Sequence, residues 1–288
     1  MANNSSPAPP VLLTVAGFDP SCGAGAAADL KTFAVHDCYG VAAITALTVQ
    51  STQGVKAVHP IAHAVLRAQL DALAEDFEIA AVKIGMLANR CNAVEVAEFL
   101  DRAGLSCVVL DPVVKPSSGG PELLDSSGVK FLRDELLKRI AVVTPNIEEA
   151  ALLTGIEVKD LGGMKAAAQK LVEMGARAAI VKGGHLEKPV DVLFDGNEIV
   201  TFGGDQIKTG HTHGTGCVFS SALAAQLAAG RGLSEAATLA KAYVTKAIEH
   251  GFGIGKGPGP VDPFFRFRQE SANRAPRTDL HTMHPTTT

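Results

Sequence analysis

The sequence predicts an α/β protein in which a mostly parallel sheet carries helices on both faces. Short apolar runs alternate with segments of helical spacing along most of the 288 residues, which is the order of βαβ units. Hydrophobic residues make up 47% of the chain but aromatic residues only 5%. The core must therefore consist mostly of Ala, Val, Leu and Ile, as helices packed on a buried sheet require.

The strands are predicted from apolar runs that end in Gly, Pro or polar residues. They cover residues 11–16, 40–49, 80–84, 107–110, 141–144 and 178–181. Residues 190–194 and 199–202 have the pattern of a hairpin, with Asp195-Gly196-Asn197 as its turn, and predict a small β-rich element at one edge.

The helices are predicted from apolar residues that recur with helical spacing, as Leu66, Leu70 and Leu73 do. They cover residues 26–36, 62–74, 92–102, part of 123–140, 148–153, 165–174, 217–229 and 234–250. No internal repeat is visible, so we expect one domain over residues 11–267. Residues 1–10 are polar and rich in Pro, and residues 268–288 are polar and aperiodic. We expect a flexible leading segment and a disordered tail.

Composition excludes several classes of function. The net charge of −4 and the absence of a basic stripe argue against nucleic acid as a partner. The first ten residues lack the basic and apolar regions of a signal peptide. The uncharged stretch 209–230 is too short in its apolar part to span a membrane. Five cysteines without a CxxC pair indicate neither a disulfide framework nor a zinc site. We expect a cytoplasmic protein with reduced thiols.

Polar and glycine residues fall where the predicted strands end, at 17–19, 85–86, 111–112, 144–146 and 182–184. In open α/β sheets, ligands bind outside the carboxyl ends of the strands. We therefore expect these segments to meet at one edge.

A phosphate site is predicted where Gly214, Thr215 and Gly216 precede an apolar helix of small residues. Glycine lets the backbone approach a ligand, and a helix start presents unpaired N–H groups with partial positive charge. Cys217 would lie in the first turn, where the same field favours a thiolate, so it is a candidate base. The alternatives are a tight loop and a small buried cysteine.

Phosphoryl transfer also needs cationic and metal-binding groups, and candidates follow three other strands. Lys182 could reach a phosphate or could simply be solvated. Asp111 could bind Mg²⁺ through water, although an isolated Asp more often caps a helix or loop. Asn146 and Glu149 lie one helical turn apart and could both face a metal. Their spacing also fits a capping box, which spacing alone favours.

Two residues suit a flat heteroaromatic ligand. The amide of Gln50 can donate and accept, which matches a ring bearing an amino group, and Met86 could offer a soft apolar face. The alternatives are a polar strand end and core packing. His211 and His213 lack a third ligand at matching spacing, and we interpret them as loop residues.

The most specific segments are AGFDPSCGAG at 16–25, ADLKTF at 28–33, TAL at 45–47, KIGML at 83–87, LDPV at 110–113, TPNIEEA at 144–150, VKGGH at 181–185 and HGTGC at 213–217. In this order, they resemble the hydroxymethylpyrimidine/phosphomethylpyrimidine kinases of thiamine biosynthesis, within the ribokinase-like superfamily. The resemblance extends from Val11 to Phe265.

The resemblance implies a ribokinase-like fold and a homodimeric kinase that depends on ATP and Mg²⁺. Such a kinase phosphorylates 4-amino-5-hydroxymethyl-2-methylpyrimidine and then its monophosphate, giving the diphosphate. The implied site residues are Cys217 as base, Gly214, Thr215 and Gly216 as anion hole, Asn146 and Lys182 at the phosphates, Glu149 and Asp111 at Mg²⁺ and phosphate, and Gln50, Asp29, Gly17, Met86 and Val113 around the pyrimidine.

Two features depart from the family pattern. Cys22 stands where glycine is common, and residues 114–119 differ from the usual loop after Asp-Pro-Val, which often covers the substrate. Two other functions stay open at this level. One is a pyridoxal kinase of the same branch, which should not form a diphosphate. The other is a regulator that binds pyrimidine or nucleotide without catalysis, although every implied catalytic position is filled.

Overall fold

A computed structural model describes residues 8–116, 120–184 and 189–268. Within them, a nine-stranded sheet has the order β3-β2-β1-β4-β5-β6-β7-β8-β9. The strands are β1 (Val11–Phe18), β2 (Tyr39–Ser51), β3 (Gly54–Pro60), β4 (Ile79–Ile84), β5 (Val108–Leu110), β6 (Val142–Val143), β7 (Ala178–Gly183), β8 (Val190–Phe194) and β9 (Ile199–Gly203).

The sheet is parallel in its centre and antiparallel at both edges. β1, β2, β4, β5, β6 and β7 pair in parallel, whereas β3 pairs antiparallel with β2, and β8 and β9 form an antiparallel hairpin after β7. This confirms the predicted mostly parallel sheet and its β-rich edge. The predicted strands omitted β3, which extends β2 into a second antiparallel element at the opposite edge.

Helices cover both faces of the sheet, as predicted. They are α1 (Gly25–Val35), α2 (His63–Asp76), α3 (Arg90–Ala103), α4 (Ser126–Asp134), α5 (Ile147–Thr154), α6 (Leu161–Glu173), α7 (Thr215–Ala228) and α8 (Leu233–Glu249). Helices α2 to α6 pack on one face and α1, α7 and α8 on the other, which gives two separate hydrophobic cores.

The period-2 geometry of a strand explains how one sheet serves both cores. Along β1, Leu13 and Val15 face the core under α2 to α6, whereas Leu12 faces the core under α1, α7 and α8. The predicted strand was therefore a continuous apolar run rather than an alternating one.

Helix α7 is the uncharged segment that composition alone could confuse with a membrane span. Residues 218–225 are buried against the sheet and its neighbouring helices. Among the residues described, no helix is both long and apolar enough to cross a membrane.

The predicted domain boundaries stay predictions. Residues 1–7 of the leading segment and 269–288 of the tail lie outside the described residues. Residues 117–119 of the divergent loop and His185, at the end of one family segment, also lie outside them.

Candidate active site

The carboxyl ends of the parallel strands form a polar edge of the sheet. β1 lies between β2 and β4, so the strand order reverses at β1. Such a reversal opens a crevice at the carboxyl ends of the strands. The predicted polar segments at 17–19, 85–86, 111–112, 144–146 and 182–184 lie at the carboxyl ends of β1, β4, β5, β6 and β7. The expectation that they share one edge is confirmed.

Residues 214–217, which we call the anion loop, connect this edge to α7. Gly214 is the N-cap residue with φ of 83°, and a Cβ there would lie 1.9 Å from the carbonyl oxygen of Gly23, so only glycine fits. The backbone N–H groups of Gly216 and Cys217 have no acceptor among the described residues. Unpaired N–H groups at a helix start attract an anion.

Thr215 is the member of the anion loop whose donors are already used. Its N–H and its hydroxyl both donate to the carbonyl of Thr212, at 3.2 and 2.7 Å. These bonds hold the loop in the geometry that starts α7. A direct contact between Thr215 and phosphate would require one of these bonds to be exchanged, and it stays a prediction.

Lys182 and Asp111 form what we call the open pair, because solvent reaches it from the strand ends. Lys182 Nζ lies 2.8 Å from Asp111 Oδ1, and the lysine side chain keeps 16% of its surface exposed. A Cβ on Gly216 would lie 3.3 Å from both Lys182 Nζ and Asp111 Oδ2, so the anion loop and the open pair are adjacent. Burial lowers the pKa of Lys182, but Asp111 and Glu149 outweigh it and hold the pKa above its usual value.

Asn146 and Glu149 form the capping box that spacing alone favoured. Asn146 Oδ1 accepts from the N–H of Glu149, and Glu149 Oε2 accepts from the N–H of Asn146, both at 2.9 Å. Asn146 also pairs with Lys182 across the sheet. Burial raises the pKa of Glu149 to about 7, against the opposing effect of Lys182.

The capping box leaves polar atoms for a ligand. Among the described residues, Asn146 Nδ2 and Glu149 Oε1 make no hydrogen bond. An amide N–H suits a phosphate oxygen, and a carboxylate oxygen suits Mg²⁺. The structural and the functional interpretations of this pair are therefore compatible.

Lys83 and Asp29 form a second lysine–aspartate pair, which we call the sealed pair, because both side chains are 0% exposed. Lys83 Nζ lies 2.9 and 2.8 Å from the two Asp29 oxygens, and the hydroxyls of Thr14 and Ser221 donate to them at 2.6 and 2.7 Å. The placement of Asp29 around the pyrimidine needs correction, because its carboxylate is saturated and shielded from solvent.

Cys217 lies in the first turn of α7, as predicted, and is partly exposed. The expected direction of its pKa is wrong. Burial raises the pKa of the thiol to about 11, with further raising effects of Asp29 and Asp111. Lys83 and the N–H of Gly25 oppose this shift but do not cancel it. Desolvation therefore outweighs the favourable effects of Lys83 and the Gly25 N–H on the thiolate.

Apart from Asp29, the residues predicted around the ring lie at the carboxyl ends of β1, β2, β4 and β5. A Cβ on Gly17 would lie 3.1 Å from the Met86 methyl carbon, so glycine leaves room for the thioether. Met86 is buried in a small cluster against which Val113 packs. The amide nitrogen of Gln50 lies 3.4 Å from His213 Nε2, next to the anion loop. Their contact with a pyrimidine stays a prediction.

Sequence reasoning missed several residues of this edge. His213 was interpreted as a loop residue, but its Nε2 atom lies 2.8 Å from Asp19 Oδ2. Gly25 has φ of 60° and turns its N–H toward the Cys217 sulfur, and a Cβ there would lie 2.3 Å from the Gly17 carbonyl oxygen. Lys83 was quoted only as part of a family segment. The sequence did contain a signal for Lys83, because it is the one charged residue in an otherwise apolar strand and a buried lysine needs a buried partner.

No group of three or more His, Cys, Asp or Glu side chains poised to hold a metal occurs in the part of the chain that the structure describes. A metal held at this edge by fewer than three such side chains would need further ligands, such as phosphate oxygens and water. Mg²⁺ is commonly bound in that way, by one or two carboxylates plus substrate phosphates.

The family model and the curated relatives that match this sequence point to the same family. Residues 19–262 match the family model described as phosphomethylpyrimidine kinase. The hydroxymethylpyrimidine/phosphomethylpyrimidine kinase of Bacillus subtilis is 44% identical over 264 residues, which are 91% of this chain and 97% of the relative.

Solved structures with the same fold come from two kinds of kinase. An ADP complex of Bacillus subtilis pyridoxal kinase superposes with a TM-score of 0.83 at 34% identity, over 90% of this chain and 99% of that one. Phosphomethylpyrimidine kinase from Clostridium difficile 630 superposes with a TM-score of 0.74 at 36% identity, over 83% of this chain and 99% of that one.

Proposed function

This chain is a kinase that belongs to the phosphomethylpyrimidine kinase family, and from that premise we propose how its strand-end edge works. The substrate is 4-amino-5-hydroxymethyl-2-methylpyrimidine, which is phosphorylated by ATP and then phosphorylated again to the diphosphate. The observation that carries this proposal is the meeting of the anion loop, the open pair and Cys217 at one edge.

The phosphates of ATP would bind at the anion loop. The free N–H groups of Gly216 and Cys217 and the ammonium of Lys182 can all donate to phosphate oxygens. The two carboxylates nearby, Asp111 and Glu149, fit Mg²⁺ bound partly through water. When bound, Mg²⁺ would neutralise charge on the phosphate oxygens.

In the transfer step, the hydroxymethyl oxygen forms a bond to the γ-phosphorus while the bond from that phosphorus to the β–γ bridging oxygen breaks. The thiolate form of Cys217 accepts the hydroxyl proton and becomes a thiol. With a pKa of about 11, roughly one molecule in ten thousand carries that thiolate at pH 7. Lys83 and the N–H of Gly25 favour it. Because proton transfer is late in a loose transition state, the sulfur should affect rate more than binding.

The ring would lie between Gly17, Met86 and Val113, with Gln50 at its polar edge. Met86 gives an apolar face, and the amide of Gln50 offers a donor and an acceptor side by side. An aminopyrimidine presents the complementary pair, a ring nitrogen beside an amino group.

A second candidate, a pyridoxal kinase activity, is favoured by the fold similarity to pyridoxal kinases. Both substrates are flat azaaromatic alcohols, so they can share the pocket. The test is mass spectrometry of the products formed from each alcohol with Mg-ATP. We expect a monophosphate and then a diphosphate from the pyrimidine. Phosphorylation of pyridoxal with no pyrimidine diphosphate would contradict the proposal.

We also propose that the protein is a homodimer and acts in the cytoplasm. Leu47 and Val49 point outward from β2, and Phe18 lies beside Leu47 in the sheet register, so an exposed apolar patch is available for a second copy. The cysteines in the described residues are all free, which fits a reducing compartment. Light scattering of wild type and Leu47→Glu tests the dimer: the variant should be monomeric, and a monomeric wild type would contradict it.

A further inference from the structure

Two buried polar side chains tie the segment that carries Met86 to the neighbouring elements. The hydroxyl of Thr45, on β2, donates to the Met86 carbonyl at 2.5 Å. The amide of Asn92, on α3, donates to the carbonyls of Leu87 and Thr45 at 3.1 and 3.0 Å. Thr45 and Asn92 are both 0% exposed. The segment after β4 is therefore joined to a strand on one side and to a helix on the other.

The Met86 carbonyl depends on the Thr45 hydroxyl. In the part of the chain that the structure describes, no other donor reaches the Met86 carbonyl. The Leu87 carbonyl, in contrast, also accepts from the N–H of Asn89 at 2.9 Å, and the Thr45 carbonyl also accepts from the N–H of Ile61 at 2.8 Å. A buried carbonyl needs a donor, so without the Thr45 hydroxyl the Met86 peptide must move or admit water.

Asn92 has a feature that is unusual for a core residue. Its Oδ1 atom is buried and has no hydrogen-bond partner among the described residues. Loss of the Asn92 amide would leave no carbonyl unpaired, because Thr45 and Leu87 keep their backbone donors. An apolar side chain of the same shape would therefore suit the core better. Side chains that break the rules of core packing are expected at functional sites.

The backbone next to Met86 is strained. Ala88 has φ of 70°, in the left-handed region that residues with a side chain rarely adopt. Such a conformation persists only where the surroundings fix it. On one side, the fixing contacts are the bonds to Met86 and Leu87. On the other side, the Asn89 side chain caps α3 by accepting from the N–H of Asn92 at 2.9 Å. The loop between β4 and α3 is thus held in one conformation.

The position of this loop determines where the Met86 thioether lies. A Cβ on Gly17 would lie 3.1 Å from the Met86 methyl carbon and 3.2 Å from its sulfur, so the thioether lies against the end of β1. Met86 is 7% exposed and belongs to a small cluster with Ala46 and Val55 of β2 and β3. Methionine has three rotatable side-chain bonds and adapts to its surroundings. It can form a fixed wall only where its backbone is fixed.

We propose that Thr45 and Asn92 are positioning residues that hold the Met86 peptide, so that the thioether forms a fixed wall of the site for a flat azaaromatic ring. The role of Met86 as a ring contact rests on the proposed function. Neither Thr45 nor Asn92 touches the substrate, and both act through Met86. Their loss should weaken binding of the alcohol and leave ATP unaffected, because the proposed ATP site lies at the anion loop and the open pair.

Kinetics with a matched pair of variants test the role of Thr45. Thr45→Val keeps the shape of the side chain but removes the donor, whereas Thr45→Ser keeps the donor. We expect the KM for the pyrimidine alcohol to rise about tenfold in Thr45→Val and to stay within about threefold of wild type in Thr45→Ser. The KM for ATP should stay within about twofold in both. An unchanged KM for the alcohol in Thr45→Val, or an equal rise for ATP, would overturn the proposal.

Asn92→Leu separates positioning from folding. The midpoint of urea unfolding should stay close to that of wild type, because no carbonyl loses its last donor. The KM for the alcohol should nevertheless rise about fivefold, because the tie between β2 and the loop after β4 is cut. A lower midpoint with an unchanged KM would assign Asn92 to folding alone and would overturn its part of the proposal.

A double-mutant cycle shows whether the effect of Thr45 passes through Met86. The thioether is absent in a Met86→Ala background. There, Thr45→Val should raise the KM for the alcohol by less than about twofold, against about tenfold in the wild-type background. The same rise in both backgrounds would show that Thr45 acts without Met86 and would also overturn the proposal.

NMR of the intact protein tests the position of Met86 without turnover. The chain has five methionines, and with ¹³C-labelled methionine methyl groups the signal that disappears in Met86→Ala is that of Met86. We expect this signal to shift and broaden in Thr45→Val and to be kept in Thr45→Ser. Identical Met86 signals in wild type and Thr45→Val would overturn the proposal. If wild type phosphorylates no azaaromatic alcohol, the proposed function fails, and the methyl signal still decides whether Thr45 holds Met86.

Discussion

The sealed pair and the open pair consist of the same residue types at the same edge but differ in access to water. Lys83 and Asp29 are 0% exposed, whereas Lys182 keeps 16% of its side chain exposed. The Asp29 carboxylate also accepts hydrogen bonds from the Thr14 and Ser221 hydroxyls, so all of its hydrogen bonds are made inside the protein. The open pair has one direct bond between its members and adjoins the unpaired N–H groups of the anion loop.

The difference separates fixed electrostatics from ligand binding. A pair without access to water cannot exchange partners with a ligand, so it can act on the site only through its field. The pKa of Cys217 illustrates this effect, because Lys83 lowers the pKa of the thiol while Asp29 raises it. A pair open to the strand ends can exchange one contact for a phosphate oxygen. The sealed pair should therefore matter most for folding and the open pair most for turnover.

The largest expected effect is on stability. Lys83→Met leaves Asp29 charged and buried without its cation, which should lower the free energy of unfolding by about 3–5 kcal/mol. Urea unfolding followed by circular dichroism measures this difference. Lys182→Met is the matched control and should be less destabilising, because the Lys182 side chain is 16% exposed in the native protein whereas Lys83 is 0% exposed. A smaller loss for Lys83→Met than for Lys182→Met would contradict the comparison.

The next effect is on catalysis. Lys182→Met removes a cation beside the proposed phosphate site, so kcat/KM for ATP should fall about 10²- to 10³-fold. Steady-state kinetics with varied ATP gives the value, and the exposed Lys130→Met serves as a control for loss of a surface lysine. Unchanged kinetics in Lys182→Met would remove the open pair from the mechanism.

A smaller effect concerns pH. The folded protein holds a proton on Glu149 up to about pH 7, above the unfolded reference of 4.5. The ionised group therefore reduces stability increasingly as pH rises through this interval. Glu149→Gln keeps the capping box and should unfold at a higher urea concentration than wild type at pH 8, with a smaller gain at pH 5. The exposed Glu148→Gln should show no such trend, and a gain that does not increase with pH would contradict the raised pKa.

Most of the fold could be predicted because its signals are local. Continuous apolar runs that end in Gly or Pro indicated the parallel strands, and Asp195-Gly196-Asn197 indicated the β8–β9 turn. β3 was missed because it carries Lys56 and His59 and ends in Pro60. An edge strand paired on one side needs no apolar pattern, so its sequence resembles a loop.

The site was predictable where glycine or helix-start chemistry marks it and unpredictable where burial decides it. Gly214 and Cys217 were found from the residues around them. The sealing of Asp29 depends on Ser221, 192 residues away along the chain, so no local pattern reveals it. The raised pKa of Cys217 has the same origin, since packing of the surrounding elements sets desolvation.

The most direct test of the proposed mechanism compares turnover with binding in Cys217→Ala. The anion loop and the open pair remain in this variant, so the affinities for nucleotide and pyrimidine, measured by calorimetry, should stay within about twofold of wild type. Because the proton acceptor is lost, kcat should fall about a hundredfold. Wild-type kcat in Cys217→Ala would contradict the assignment of the sulfur, and loss of nucleotide binding with kcat unaffected at saturation would contradict the division between rate and binding.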